Sequence, residues 1–191
     1  QIPLSAPTTE NAGKTVKQAD SKVLPMPSYE VVRSEDLRMV KAVLQGDEVR
    51  SERGAMHYMR GEIEMVTTMP GVGKLLKSVV SKESIFRPTY KGTGEVYFGP
   101  PSLDEYHVME LNNESWILDQ GAYICSDMSI DIGAIRNKGI ATMAFGGEGI
   151  FQTSAQGTGT VVFKSPGPLQ EIELDGETLT VDGRFAVARE G

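Results

Sequence analysis

The sequence predicts an all-β fold of three repeated modules, each about 65 residues long, with one short helical insertion. Three observations carry this. First, ESIFRPTYKGTGEVYF at Glu83–Phe98 returns as EGIFQTSAQGTGTVVF at Glu148–Phe163, with Glu, Ile-Phe, Gly-Thr-Gly, Val and Phe at identical relative positions 65 residues apart. Self-similarity of this kind marks duplicated architecture. Second, apolar residues alternate with polar ones over short runs, the period of a half-exposed strand. Third, 21 glycines, many in Gly-Thr-Gly, Gly-Pro or Asp-Gly pairs, supply frequent strand breaks and tight corners.

Taken in order, Gln1–Ser28 holds four prolines and no apolar periodicity, so it is expected to be a flexible arm preceding a domain over 29–191. Three strand-like runs end in leucine: Met39–Leu44, Tyr106–Leu111 and Leu169–Leu174, with end points 67 and 63 residues apart. After each comes a related segment, strongest in GDEVRSERGAMHYM at Gly46–Met59, weaker in NNESWILDQGAYI at Asn112–Ile124 and GETLTVDGRFAV at Gly176–Val187. These set module boundaries near 29–90, 91–155 and 156–191, the last incomplete. That period exceeds most solenoid rungs, so each unit is a small β module. In the third, Ile172 and Leu174 alternate with Glu171 and Glu173, and Leu179, Val181, Phe185 and Val187 predict two strands joined at Asp182-Gly183.

One segment departs from strand character. In KLLKSVVSK at Lys74–Lys82, Leu75, Leu76, Val79 and Val80 fall at helical spacing with lysines interleaved, predicting a helix near residues 73–82. A helix this short is marginal alone and must dock on something. Lys74, Leu75, Leu76, Val79 and Val80 are therefore the candidate contact with a partner subunit, another protein or a membrane surface.

Composition excludes several functions. With 39% apolar and 24% charged residues the chain is ordinary for a globular protein, and 191 residues can bury a sizeable core. A net charge of −7 without a basic stripe argues against nucleic acid as a partner. Cys125, the single cysteine, rules out an internal disulfide framework and fits a buried small hydrophobe in a reducing compartment. No run approaches the ~18 apolar residues of a spanning helix. Because residue 1 is glutamine, the chain is expected to be a processed or cropped product whose targeting signals have been lost.

Chemical motifs are absent or fail. Gly71-Val-Gly-Lys74 resembles the end of a phosphate-binding loop, but Thr68 stands where that loop needs glycine and Leu75 where it needs Ser or Thr. Gly146–Gly149 and the Gly-Thr-Gly elements lack dinucleotide-binding spacing and are expected to be backbone corners. His57 and His107 lie 50 residues apart with no second ligand at metal-binding spacing, so structural or surface roles are expected. Glu62 with Glu64, and Asp127 with Asp131, would line a cation site only if folding gathered them; a solvated strand face is the default. No cofactor or metal is implied.

Gly46-Asp-Glu-Val, Glu52-Arg-Gly54-Ala-Met56, Tyr58-Met59 and Gly61-Glu-Ile63-Glu-Met65, followed by Glu83-Ser-Ile-Phe86, Gly94-Glu-Val96, Pro100-Pro101 and Gly146-Gly-Glu-Gly-Ile-Phe151, resemble the signature of the altered inheritance of mitochondria 24, or mitochondrial biogenesis, family over about Tyr29–Gly191. The resemblance implies a fold like that of the tryptophan RNA-binding attenuation protein, with three β-sandwich modules about a pseudo-threefold axis. It carries no catalytic residues, and its fungal mitochondrial members are linked to inner-membrane organisation. The chain departs from the family pattern at its end, where a further Gly-Gly-Glu-Gly-like element is expected. The combined expectation is a non-enzymatic scaffold or interaction protein, homo-oligomeric and membrane-organising, in a prokaryotic cytoplasm or, alternatively, on a mitochondrial membrane. The competing expectation is a small-molecule binding protein or enzyme with a site at a module junction, where the two histidines or the paired carboxylates would converge.

Overall fold

The computed structural model describes residues 26–66, 87–137, 150–181 and 185–191. Within them the chain forms strands β1 (Ser28–Ser34), β2 (Leu37–Ser51), β3 (Met56–Val66), β4 (Thr89–Ser102), β5 (Glu105–Leu118), β6 (Tyr123–Asp127), β7 (Ile130–Asn137), β8 (Ile150–Ser165) and β9 (Ala188–Glu190). All belong to one open antiparallel sheet in the order β3-β4-β2-β6-β8-β5-β9, with β1 on β2 and β7 on β8. No helix occurs among the described residues.

The sequence repeat is also a repeat of hydrogen-bond register. In the first unit, β4 lies between β2 and β3, with Leu44 opposite Gly94 and Ile63 opposite Gly92. In the second, β8 lies between β5 and the β6/β7 pair, with Leu111 opposite Gly159 and Ile130 opposite Gly157. Gly94 and Gly159, like Gly92 and Gly157, are the repeat partners seen in the sequence.

Each Gly-Thr-Gly sits where two strands approach too closely for a side chain. A Cβ on Gly94 would strike the carbonyl oxygen of Arg60, and one on Gly159 would lie 2.5 Å from Ser129 Oγ and 3.0 Å from an Asp127 carboxylate oxygen. Both residues adopt positive φ, 149° and 143°, which only glycine tolerates readily. A bulge recurs as well: the ladder skips at Gly46 in β2 and at Asn113 in β5, both with positive φ. In β2 the bulge shifts the buried parity from Val40, Ala42 and Leu44 to Val49 and Ser51, keeping one face inward along a bent strand.

Each unit has its own core. Val40, Leu44, Val49, Tyr90, Val96 and Phe98 anchor the first, which also takes in Tyr106, Ile124, Cys125 and Val162 from the second unit. Leu111, Leu118, Tyr123, Ile130, Val161 and Phe163 anchor the second, which takes in Val187 from the C-terminal segment. Burying a side chain of this size is worth about 1.5–3 kcal/mol, so units that share core residues are coupled.

Two expectations change. Leu169–Leu174 and Leu179–Val181 were expected to be strands, yet no strand lies between residues 166 and 181, and after β8 the described residues add only β9. The physical reason is partnership. β2 has β4 beside it and β5 has β8, whereas residues 168–181 meet no such strand among the described residues, so their backbone has no ladder to join. Leu169, Ile172, Leu174, Leu179 and Val181 are consequently 43–48% exposed. The Asp182-Gly183 turn lies outside the described residues; beyond it Phe185 is exposed and Val187 is buried. The predicted helix near 73–82, with Lys74, Leu75, Leu76, Val79 and Val80, also lies outside the described residues, as do Gly71–Lys74 and Gly146–Gly149. Most of the N-terminal arm does too, and β1 begins at Ser28.

Candidate functional site

The surface with the strongest claim to function is the outer edge of β3. This strand ends the sheet path and pairs only with β4, so its other row of N–H and C=O groups is unpaired among the described residues. Its flanking side chains are apolar and exposed: Tyr58, Met59, Met65 and Val66. A long exposed edge of this kind is a template for another strand unless it is covered. The edge is also stiff. Tyr58 stacks on Tyr97 at 4.2 Å, Tyr97 O–H donates to Glu95 (3.0 Å), and Arg60 Nε pairs with the same carboxylate at 2.5 Å. The Arg60 and Tyr97 hydrogen bonds hold the Glu95 carboxyl below its usual range.

Behind this edge the units are joined by a repeated junction. At the first, Val49, Arg50 and Ser51 of β2 pair with Asp127, Ser126 and Cys125 of β6. At the second, Trp116, Ile117 and Leu118 of β5 pair with Glu190, Arg189 and Ala188 of β9. Each is closed by an N–H···O=C bond at 2.8 Å, from Glu52 to Ile124 and from Asp119 to Val187.

Asp127 sits at the first junction and is 2% exposed. A solvated strand face was the default for this residue, and the structure overturns it. Tyr29 O–H donates to one carboxylate oxygen (2.8 Å) and the Thr160 N–H to the other (2.6 Å). Burial pushes the Asp127 carboxyl above its ordinary value against the opposing effect of these bonds. Burial likewise raises the Tyr29 and Tyr123 phenols and the Cys125 thiol, which is fully buried and therefore a packing residue rather than a nucleophile. Asp131 is exposed and pairs in the β7–β8 ladder, and Glu62 and Glu64 lie on the exposed face of β3. No group of three His, Cys, Asp or Glu side chains gathers to hold a metal among the described residues.

The histidines do not converge. His57 is on β3, with its ring edge-on to Tyr58, while His107 is on β5 against Phe163, with β4, β2, β6 and β8 between the two strands along the sheet path. His107 Nε2 meets Ser165 Oγ at 2.7 Å, but that hydroxyl donates to the Gly167 carbonyl, so the imidazole is the donor and the serine is not activated. Burial lowers the His107 pKa from the ordinary histidine value. Nearby, Asp104, Asp119, Ala122, Lys164, Pro166 and Val187 line an open pocket of about 270 Å³, where Lys164 is already paired with Asp104 at 2.8 Å.

The sequence-based candidates thus divide. Lys74, Leu75, Leu76, Val79 and Val80 fall outside the described residues, and the histidines and carboxylates are dispersed. The β3 edge was missed: Tyr58-Met59 and Met65-Val66 put apolar side chains on both faces of a strand, a pattern that by itself predicts cover on both faces rather than an exposed edge.

Comparison with known proteins agrees with the fold. An uncharacterized protein of Streptococcus pyogenes serotype M6 is 28% identical over 190 residues, covering 93% of this chain and 75% of that protein. A crystal structure of a Streptococcus pyogenes protein superposes with a TM-score of 0.67 at 27% identity, covering 85% of this chain and 75% of the other. Residues 29–191 match the family described as mitochondrial biogenesis AIM24, and on that match across the paired strands the chain belongs to the AIM24 family.

Proposed function

We propose that this protein is a non-enzymatic scaffold or interaction protein that self-associates through its sheet edges and organises a protein partner or membrane surface. The observation that carries this reading is the β3 edge, unpaired among the described residues, with Tyr58, Met59, Met65 and Val66 exposed beside it. The register offset that relates β6 to β9 supports a third unit and hence a pseudo-threefold arrangement. A relative in Streptococcus pyogenes supports a prokaryotic setting for it. The lysine-flanked apolar run at Lys74–Val80 is the membrane or partner contact in this reading. The competing reading, a small-molecule site at a junction, has less behind it: the pocket falls below the usual ~300–1,000 Å³ of ligand sites, and its lysine is neutralised by Asp104.

Light scattering with and without anionic liposomes tests the proposal. A discrete oligomer or a liposome-bound species is expected, and liposome binding is expected to be lost in the Leu75→Glu, Val79→Glu double variant with the fold retained. A monomer that ignores lipid at all concentrations would contradict it.

A further inference from the structure

The bulge that bends each unit's long strand falls at one place in the repeat. Gly46 and Asn113 are the residues the ladder skips, and the 67- and 63-residue offsets that relate Leu44, Leu111 and Leu174 lead from them to Gly176. Gly176 keeps the same backbone sign, with a φ of 75° beside 90° at Gly46 and 59° at Asn113. The residues just before, Gln45, Asn112 and Asp175, are exposed in all three units. Exposure at this place is therefore a property of the bulge, since it holds in β2 and β5, which are laddered on both sides of the skipped residue, as well as at Asp175.

The chemistry at this place differs between the units. An aspartate followed by glycine is prone to close on itself, because the glycine leaves its backbone nitrogen unshielded and the aspartate Cγ stands one five-membered ring away. The first unit has Gln45-Gly46, whose longer side chain would need a six-membered ring. The second has Asn112-Asn113, where the attacking residue carries a side chain and its N–H donates to Thr158 Oγ1 at 3.0 Å. The third has Asp175-Gly176, which meets both requirements. Neither the Asp175 carboxylate nor the Gly176 N–H has a hydrogen-bond partner among the described residues, and nothing stands within 4 Å of where a Cβ on Gly176 would be. The other Asp-Gly pair, Asp182-Gly183, lies outside the described residues.

We propose that Asp175-Gly176 is an isoaspartate-forming site, a self-modification that lengthens the main chain at the third unit's counterpart of the bulge. The lone pair of the Gly176 backbone nitrogen attacks Asp175 Cγ as the N–H proton departs. The new C–N bond displaces the carboxyl hydroxyl, which leaves with a proton as water and closes a succinimide. Water reopens the ring. When it breaks the bond between the Gly176 nitrogen and the main-chain carbonyl carbon of Asp175, the chain runs on through Cγ and the former main-chain carbonyl becomes a free carboxylate. One methylene thereby enters the backbone at the counterpart of Gly46, the position where β2 changes which residues point inward. The new carboxylate is the group that a protein isoaspartyl methyltransferase methylates from S-adenosylmethionine.

Ageing the full chain at neutral pH, both native and unfolded in urea, tests the proposal. Methyl uptake from labelled S-adenosylmethionine in the presence of the methyltransferase counts isoaspartate, and electron-transfer fragmentation of peptides digested at mildly acidic pH places it. The expected result is isoaspartate at Asp175 that grows with time at nearly the same rate in native and unfolded chains, with none at Asn112 in the native protein. Its growth should be lost in Asp175→Glu and faster in Asp175→Asn, whose amide is the better leaving group, with the circular dichroism spectrum unchanged in both. Conversion at Asp175 that is fast in urea and suppressed in the native protein overturns the proposal, because the fold would then shield the pair. Methyl uptake that persists undiminished in Asp175→Glu, which places the modification at Asp182 or elsewhere, overturns it as well.

Discussion

Leu44, Leu111 and Leu174 end the three strand-like runs of the sequence, yet they are 1%, 3% and 47% exposed. Leu→Ala at each therefore separates the effect of position in the repeat from that of burial. Losing three buried carbons forfeits about 2.4 kcal/mol at ~0.8 kcal/mol each, and the cavity left behind brings the expected cost at Leu44 or Leu111 to about 2–5 kcal/mol. Leu174 stands on a segment with no strand ladder and is about half exposed. Its truncation should change the stability of the dilute protein by no more than about 0.5 kcal/mol. Urea unfolding followed by tryptophan fluorescence measures all three, since Trp116 packs against the second core. With a slope of about 1–3 kcal/mol per molar urea, the midpoint should fall by roughly 1–2 M for the first two variants and hardly move for the third. A Leu174→Ala midpoint as low as that of Leu111→Ala, at a concentration where the protein is monomeric, would refute the view that Leu174 lies outside a packed core.

Gly159→Ala should destabilise by about 2–4 kcal/mol, combining positive-φ strain with the collision against Ser129 and Asp127; a stability within error of wild type would show that the close approach relaxes freely. Asp127 binds its proton more tightly folded than unfolded, so its contribution to stability is present below the ordinary aspartate range and is lost as pH rises through the raised folded value. Plotted as the difference between wild type and Asp127→Asn, stability should decline across that window, and a rising or flat difference would reverse the assignment. Cys125, fully buried with a raised thiol pKa, should react with an aromatic disulfide reagent only at the rate of unfolding, and fast labelling of the native protein would contradict its packing role.

Local chemistry made much of the fold legible. Gly-Thr-Gly recurs because a glycine is needed wherever β3 crosses β4 and wherever the β6/β7 turn crosses β8, so a steric requirement left its mark on the sequence. The register of the two formed units follows from the same repeat. What alternation cannot report is whether a partner exists: Leu169–Val181 has the period of a strand and meets no central strand to pair with among the described residues. The buried carboxylate of Asp127 was invisible for a related reason, because its partners Tyr29 and Thr160 lie 98 and 33 residues away in sequence. Likewise the His107–Ser165 contact spans 58 residues and emerges only when β5 lies against β8. The β3 edge was missed for the same reason, since the lack of a second neighbour among the described strands is a property of topology rather than of any one residue.

Hydrogen–deuterium exchange at several protein concentrations tests the central claim most directly, because it reads the backbone amides of the β3 edge separately from those of the formed junctions. The amides of Tyr58–Arg60 that point away from β4 should exchange quickly in dilute protein and slow as concentration rises, while those of Cys125–Asp127 stay protected throughout. Exchange at the β3 edge that is independent of concentration would contradict an account in which this edge is where the protein meets its partner.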